Sequence, residues 1–153
     1  CNENVEQIAK GKRYTAINMG SLDHIGGYSL IHPKLKTAIF GKLFLEDLTG
    51  TTGTGILFNI SLPHTEIPYF HRHIDNEETY IIQKVVMIFK LMMIVSRFVR
   101  VRLYVVSPAP SRGMRNSSDE PMIYMVVQSK ENSVGNYSTE DGTRTSIQNY
   151  FIG

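Results

Sequence analysis

The sequence predicts an all-β protein, a small sandwich or barrel. From Tyr14 onward, short apolar stretches alternate with turn residues: Gly20-Ser21, Gly26-Gly27, Pro33, Gly41, Gly50, Gly53, Gly55, Pro63 and Pro68. The stretches have strand length, and several short strands at such spacing pack as a sandwich or barrel. Composition agrees with one globular domain: 153 residues, 42% hydrophobic and 20% charged.

Taken in order, residues 1–20 read as an N-terminal arm and 21–153 as a single barrel domain. Residues 2–12 are polar and read as a short helix or a frayed end. Candidate strands follow at 35–40, 41–45, 55–62, 69–73, 79–83, 97–106 and 122–128, with a last one at 146–152. Period-2 alternation is clearest in Val99-Arg100-Val101-Arg102-Leu103, the pattern of a half-buried strand. The runs at 56–60 and 122–127 read as strands buried on both faces. Residues 131–144 are polar, with Asn-Ser and Asp-Gly turns, and read as a surface loop.

Charge narrows the function. Sixteen Lys+Arg against fourteen Asp+Glu give +2, far from the basicity of a nucleic-acid binder. Residues 84–106 hold five of the cations and no acid, which leaves 11 cations against 14 acids, or −3, elsewhere. Aromatic residues do not alternate with Lys/Arg as a base-stacking platform would require. Gly50-Thr51-Thr52-Gly53-Thr54-Gly55 lacks the Gly-Lys-Ser/Thr ending of a phosphate loop and reads as a turn between strands. No membrane span is expected, because Lys90, Arg97, Arg100 and Arg102 interrupt the most apolar window at 85–106. One cysteine, Cys1, allows no disulfide within the chain and is compatible with a reducing compartment. The expected location is the cytoplasm, with a lipoprotein modified at Cys1 as the alternative.

The segment richest in chemistry is Pro68-Tyr69-Phe70-His71-Arg72-His73-Ile74-Asp75-Asn76-Glu77-Glu78-Thr79-Tyr80. On a strand, residues two apart share a face, so His71 and His73 present two imidazoles side by side. Four residues later Glu78 can return a carboxylate to the same point. Two neutral imidazoles and a carboxylate suit a divalent transition metal (Mn, Fe, Ni or Zn) and leave coordination positions open. Tyr69 and Tyr80 share the parity of these residues and are candidate pocket-lining groups. A lone His-x-His pair is more often solvent-exposed; the coincidence of the pair, a preceding proline and an acid before an apolar strand raises the metal reading above that.

His71-x-His73, four residues and Glu78 resemble the first motif of the cupin superfamily. The likeness spans nearly the whole chain. Gly41-Lys42-Leu43-Phe44-Leu45, Gly50-Thr51-Thr52-Gly53 and Ser61-Leu62-Pro63 are similar to the approach to that motif in small single-domain cupins. The stretch Ser107-Pro108-Ala109-Pro110-Ser111-Arg112-Gly113-Met114-Arg115-Asn116, followed by Asp119-Glu120-Pro121, is similar to the second motif. Gln128-x-Lys130-Glu131-Asn132-Ser133 resembles the end of one branch of these proteins. The resemblance implies a double-stranded β-helix, a jelly-roll-like barrel with a metal inside and a small-molecule ligand.

This sequence departs from the pattern in three places. No glycine stands before His71, and the glycine expected after six residues beyond Glu78 falls at Val85. The histidine that the second motif normally supplies, four residues before Asn116, is Arg112, and a guanidinium has no lone pair to give a metal. The resemblance thus carries over His71, His73 and Glu78 as ligands. Arg112 reads as a turn cation, or as a group at the pocket mouth that pairs with a ligand's carboxylate or phosphate. His64, on the preceding turn, is a candidate base or a surface residue.

The implied activity is that of a metal-dependent isomerase or dioxygenase on a sugar-like or carboxylate substrate. The alternative is a non-catalytic metabolite-binding module with weak or no metal. The window at 84–106 fits neither the pattern nor its neighbours: it has no Gly, Pro, Asn or Asp for a turn. Its Val, Ile and Met codons, read one base over, can supply the missing Gly and Asp, so a locally shifted frame is one account of it, which the parent DNA decides. As a native edge strand, 88–95 would invite pairing with a second copy and a homodimer.

Overall fold

Antiparallel pairing organises the chain. The computed structural model describes residues 5–31, 36–83, 87–91, 94–98, 102–135 and 141–143. In chain order they form β1 (Glu6–Lys10), β2 (Thr15–Asn18), a 3₁₀ turn (Leu22–Gly27), β3 (Ser29–Ile31), β4 (Ala38–Phe40) and β5 (Lys42–Phe44). A single-turn helix α1 (Glu46–Thr49) precedes β6 (Gly55–Ser61), β7 (Asn76–Gln83), β8 (Met87–Leu91) and β9 (Ile94–Phe98). Then come β10 (Arg102–Val106), β11 (Arg112–Asn116) and β12 (Met122–Lys130). The main sheet has the order β10-β7-β12-β6-β5, a second has β11-β8-β9, and β1-β2 and β3-β4 are hairpins. The all-β expectation holds. Among the described residues no helix is long and apolar enough to cross a membrane.

Register explains where the core sits. Ile82, Tyr124, Asn59 and Lys42 face one another across β7, β12, β6 and β5. Two residues along lies the row Tyr104, Tyr80, Val126, Leu57 and Phe44, and two further lies Val106, Glu78 and Gln128. Equal parity puts all three rows on one face. That face buries Tyr80, Ile82, Val106, Met122, Tyr124 and Val126 with Met114 from β11. Full burial of side chains such as Ile82 and Met122 contributes about 1.5–3 kcal/mol each. On the opposite face, Leu43, Ile56, Phe58 and Ile60 pack against Ile25, Tyr28 and Leu45, joined by Val5, Ile17 and Met19 of the N-terminal segment. Residues 56–60 are therefore covered on both faces, as their apolar run predicts.

Several elements differ from the sequence reading. The polar stretch at 2–12 contributes strand β1 of a hairpin, not a helix, because β2 supplies the partner its backbone needs. The segment 69–73 is extended but not a regular strand: His71 forms one isolated bridge with Arg112. Its backbone bonds run irregularly, from Ile67 N to Met114 O, between His71 and Arg112 in both directions, and from Ala109 N to His73 O. Pro68 and Pro110 have no N–H to complete that ladder. The candidate strand 97–106 falls on two strands of different sheets, β9 (to Phe98) and β10 (from Arg102), and residues 99–101 of the alternating stretch lie outside the described residues. Strand β8 is paired on both sides, so of the 88–95 region only β9 lies at the sheet edge. The candidate strand at 146–152 lies outside the described residues.

One glycine is needed for the site. Gly41 has φ +71°, and its N–H donates to Tyr28 O while its carbonyl accepts from Ile60 N. This kink delivers Lys42 into β5. A Cβ here would collide with the Ile60 side chain. Gly41→Ala should therefore lower stability by about 1–3 kcal/mol. A denaturant midpoint equal to that of the wild type would contradict this.

Candidate metal centre and cavity

Glu78 lies near the start of β7, on the face it shares with Tyr80 and Ile82, and is 6% exposed. The extended segment after Pro68 carries His71 and His73 towards it. Glu78 Oε1 lies 3.1 Å from His73 Nε2, and Oε2 lies 3.7 Å from His71 Nε2. One donor atom from each of the three residues falls within 4.8 Å of the others. The imidazole rings stand edge to face, with centroids 5.5 Å apart. The shared face expected of His71 and His73 is present although the strand is irregular.

Arg112 and Tyr80 reach the same carboxylate. Arg112 Nε and Nη2 donate to Glu78 Oε2 at 2.9 and 2.6 Å, and the Tyr80 hydroxyl donates to it at 2.5 Å. Nη1 of Arg112 donates to Pro110 O at 3.1 Å. With 1% exposure, Arg112 is neither a turn cation nor a group at the pocket mouth. Its place on β11, opposite His71, seals it behind the site. Asn116, which ends this strand, is equally buried; its amide donates to Ser61 O, Leu62 O and Glu120 O, fixing the turn beyond. His64 is exposed and pairs with exposed Asp119 at 2.8 Å.

The electrostatics follow from these contacts. Burial raises the Glu78 carboxyl, but the nearby His71 ring, the hydrogen bonds from Tyr80 and Arg112 and the guanidinium charge outweigh it, and the carboxyl is pulled down to about 2. Burial lowers His73, against the opposing pull of Glu78, which favours the neutral imidazole. Burial and the adjacent carboxylate push the Tyr80 phenol far up, so it stays a donor.

The donor set fits a divalent ion. Metal bonds of about 2.0–2.2 Å place neighbouring donors roughly 3–3.5 Å apart; the 3.1 Å between Glu78 Oε1 and His73 Nε2 falls in that range, and the whole set lies within 4.8 Å. His71 Nδ1 is buried without a hydrogen-bond partner, so one nitrogen of this ring has no partner in the protein. Oε2 of Glu78 already accepts three hydrogen bonds, which leaves Oε1 for an ion.

The triad opens onto a cavity of about 510 Å³ that Lys42, Tyr69 and Gln128 also line, within the usual size range for small-molecule sites. Tyr69 lines it, while Tyr80 and Arg112 act on Glu78 from outside the lining. Gln128, paired in register with Glu78, places its amide 3.1 Å from the His73 ring nitrogens. Lys42 and Gln128 escaped the sequence reading, since only the pairing of β5, β6, β12 and β7 brings them to the site. Burial lowers the Lys42 ammonium, and Glu78 partly restores it.

No protein-family model and no curated protein matches the sequence. Solved structures do. A cupin protein from Bacteroides fragilis is 23% identical, with TM-score 0.65 over 68% of this chain and 88% of that one. A sugar phosphate isomerase of the cupin superfamily from Silicibacter pomeroyi is 15% identical, with TM-score 0.54 over 67% and 68%. A Klebsiella pneumoniae protein with a double-stranded β-helix domain is 18% identical, with TM-score 0.52 over 74% and 90%. The chain has the cupin fold, a double-stranded β-helix, as the resemblance implied.

Proposed function

We propose that this chain is a small-molecule cupin that holds a divalent transition metal (Mn, Fe, Ni or Zn) on His71, His73 and Glu78. One observation carries the reading: the three donors converge within 4.8 Å on the wall of a cavity of about 510 Å³. When bound, the ion would polarise a carbonyl or hold two oxygens of a substrate, the chemistry of an isomerase or a dioxygenase on a sugar-like or carboxylate molecule. The chain's own residues prepare the place. Arg112 and Tyr80 keep Glu78 ionised, Gln128 orients the His73 ring, and Tyr69 offers an aromatic wall.

Metal analysis of the purified protein tests this. About one ion per chain is expected, with His71→Ala and His73→Ala each weakening binding by about 100-fold or more, at least the cost of losing a supporting group. Metal-free protein after loading, or equal occupancy in both variants, overturns the reading. One observation favours the second reading, a binding module with little or no metal: Arg112 already supplies a cation to Glu78. The two separate on that same measurement.

The reading takes the protein as cytoplasmic, since its single cysteine forms no internal disulfide. It also takes residues 21–153 as the barrel and the protein as a homodimer. Leu103 and Val105, exposed on the edge strand β10, support such a contact.

A further inference from the structure

A second polar group lies away from the triad. Asn59 is 2% exposed, and both amide atoms, Nδ2 and Oδ1, lack a hydrogen-bond partner. It faces a cavity of about 390 Å³ next to the first. Lys42, its cross-strand neighbour, lines both cavities, as do Ile39, Ile67 and Tyr69. Among the described residues Lys42 makes no ion pair within 4 Å. Leaving a buried amide unpaired costs about 1–3 kcal/mol for each polar group, so its retention in a cavity wall points to a ligand.

The chemistry of that ligand can be read from the groups. An amide with a donor and an acceptor both unpartnered matches hydroxyls, which accept and donate in turn. An unpaired ammonium beside it matches an anion. Tyr69, Ile39 and Ile67 suit the C–H face of a carbon chain or ring. The other charges near this recess are Glu66, exposed at its rim, Arg72, exposed at the mouth of the triad cavity, and the buried Glu78, which Arg112 already pairs. With a single cation facing the recess, a singly charged carboxylate is matched better than a phosphate dianion.

We propose that the Lys42–Asn59 recess binds a polyhydroxylated carboxylate, the chemical class of the sugar acids, with its carboxylate on Lys42 Nζ and hydroxyls on the Asn59 amide. This extends the proposed function to a substrate class and rests on that reading through the adjoining cavity, but its test is run without metal. Failure of the triad to hold an ion and failure of this recess to hold a ligand therefore give separate results.

Isothermal titration of EDTA-stripped protein with gluconate, glucose and glucose 6-phosphate is the experiment. Gluconate should bind the wild type at least tenfold more tightly than either of the others. Asn59→Leu should weaken gluconate at least tenfold while the melting temperature holds or rises, because an apolar side chain of similar volume removes the unpaired amide. Lys42→Met should reduce the preference for gluconate over glucose at least tenfold. Glucose 6-phosphate binding as tightly as gluconate, no gluconate binding at millimolar concentration, or undiminished binding in Asn59→Leu would overturn the proposal. A lower melting temperature in Asn59→Leu with gluconate binding intact would mark the amide as structural and overturn it as well. If Asn59→Leu does not fold, the gluconate-to-glucose ratio of Lys42→Met decides alone, and an unchanged ratio overturns the proposal.

Discussion

Arg112→Met should destabilise the protein by about 3–5 kcal/mol, the cost of breaking a buried ion pair by removing one partner. The guanidinium is 1% exposed and gives two hydrogen bonds to Glu78 Oε2. Methionine fills much of the volume but leaves the carboxylate buried with only Tyr80 and the histidines around it. A double variant supplies the control. Replacing both partners with apolar residues, as in Arg112→Met with Glu78→Leu, removes the stranded charge, so the double variant should be more stable than Arg112→Met alone. Denaturant unfolding of these two variants and of Glu78→Leu alone measures this. Additive single and double effects would show that the pair is not coupled.

Acid should have the second large effect. In metal-free protein the Glu78 carboxyl sits at about 2, against an ordinary value of 4.5. A carboxyl depressed by folding stabilises the native state fully above its unfolded value, and that contribution disappears as pH falls through the folded one. The window is thus from 4.5 down to 2, and a shift of this size corresponds to about 3 kcal/mol. Unfolding free energy followed across that window in wild type and Glu78→Gln should differ in slope, with the variant flatter. Parallel curves would show that Glu78 contributes nothing to acid sensitivity.

How much of this was legible depends on what each feature rests on. Strands β6, β7 and β12 are visible because each carries enough apolar side chains to mark its buried face. The His71, His73 and Glu78 set is visible because all three lie within eight residues and one turn. Strand β11, Arg-Gly-Met-Arg-Asn, has no apolar alternation. Its burial depends on Arg112 meeting Glu78 and Asn116 meeting three carbonyls, and these partners lie in other parts of the chain. The same holds for Lys42 and Asn59, whose meaning appears only when β5, β6 and β12 are set side by side. The hairpin of β8 and β9 forms across a stretch with no turn residue, so punctuation alone could not divide it. Strand β1 was hidden because four of its five residues are exposed and three are polar, so only its pairing with β2 defines it.

Strand β6 has two jobs that its sequence keeps apart. Its odd positions, Leu57 and Asn59, look into the cavity, while Ile56, Phe58 and Ile60 anchor the layer contributed by the N-terminal segment. A slip of one position against β12 would turn Phe58 inward and thrust the Asn59 amide among Ile25, Tyr28 and Leu43. The misaligned form would lose its greasy outer seam and its ligand-contacting amide in a single stroke. Selection for a tightly sealed outer layer thereby also polices the chemistry of the pocket.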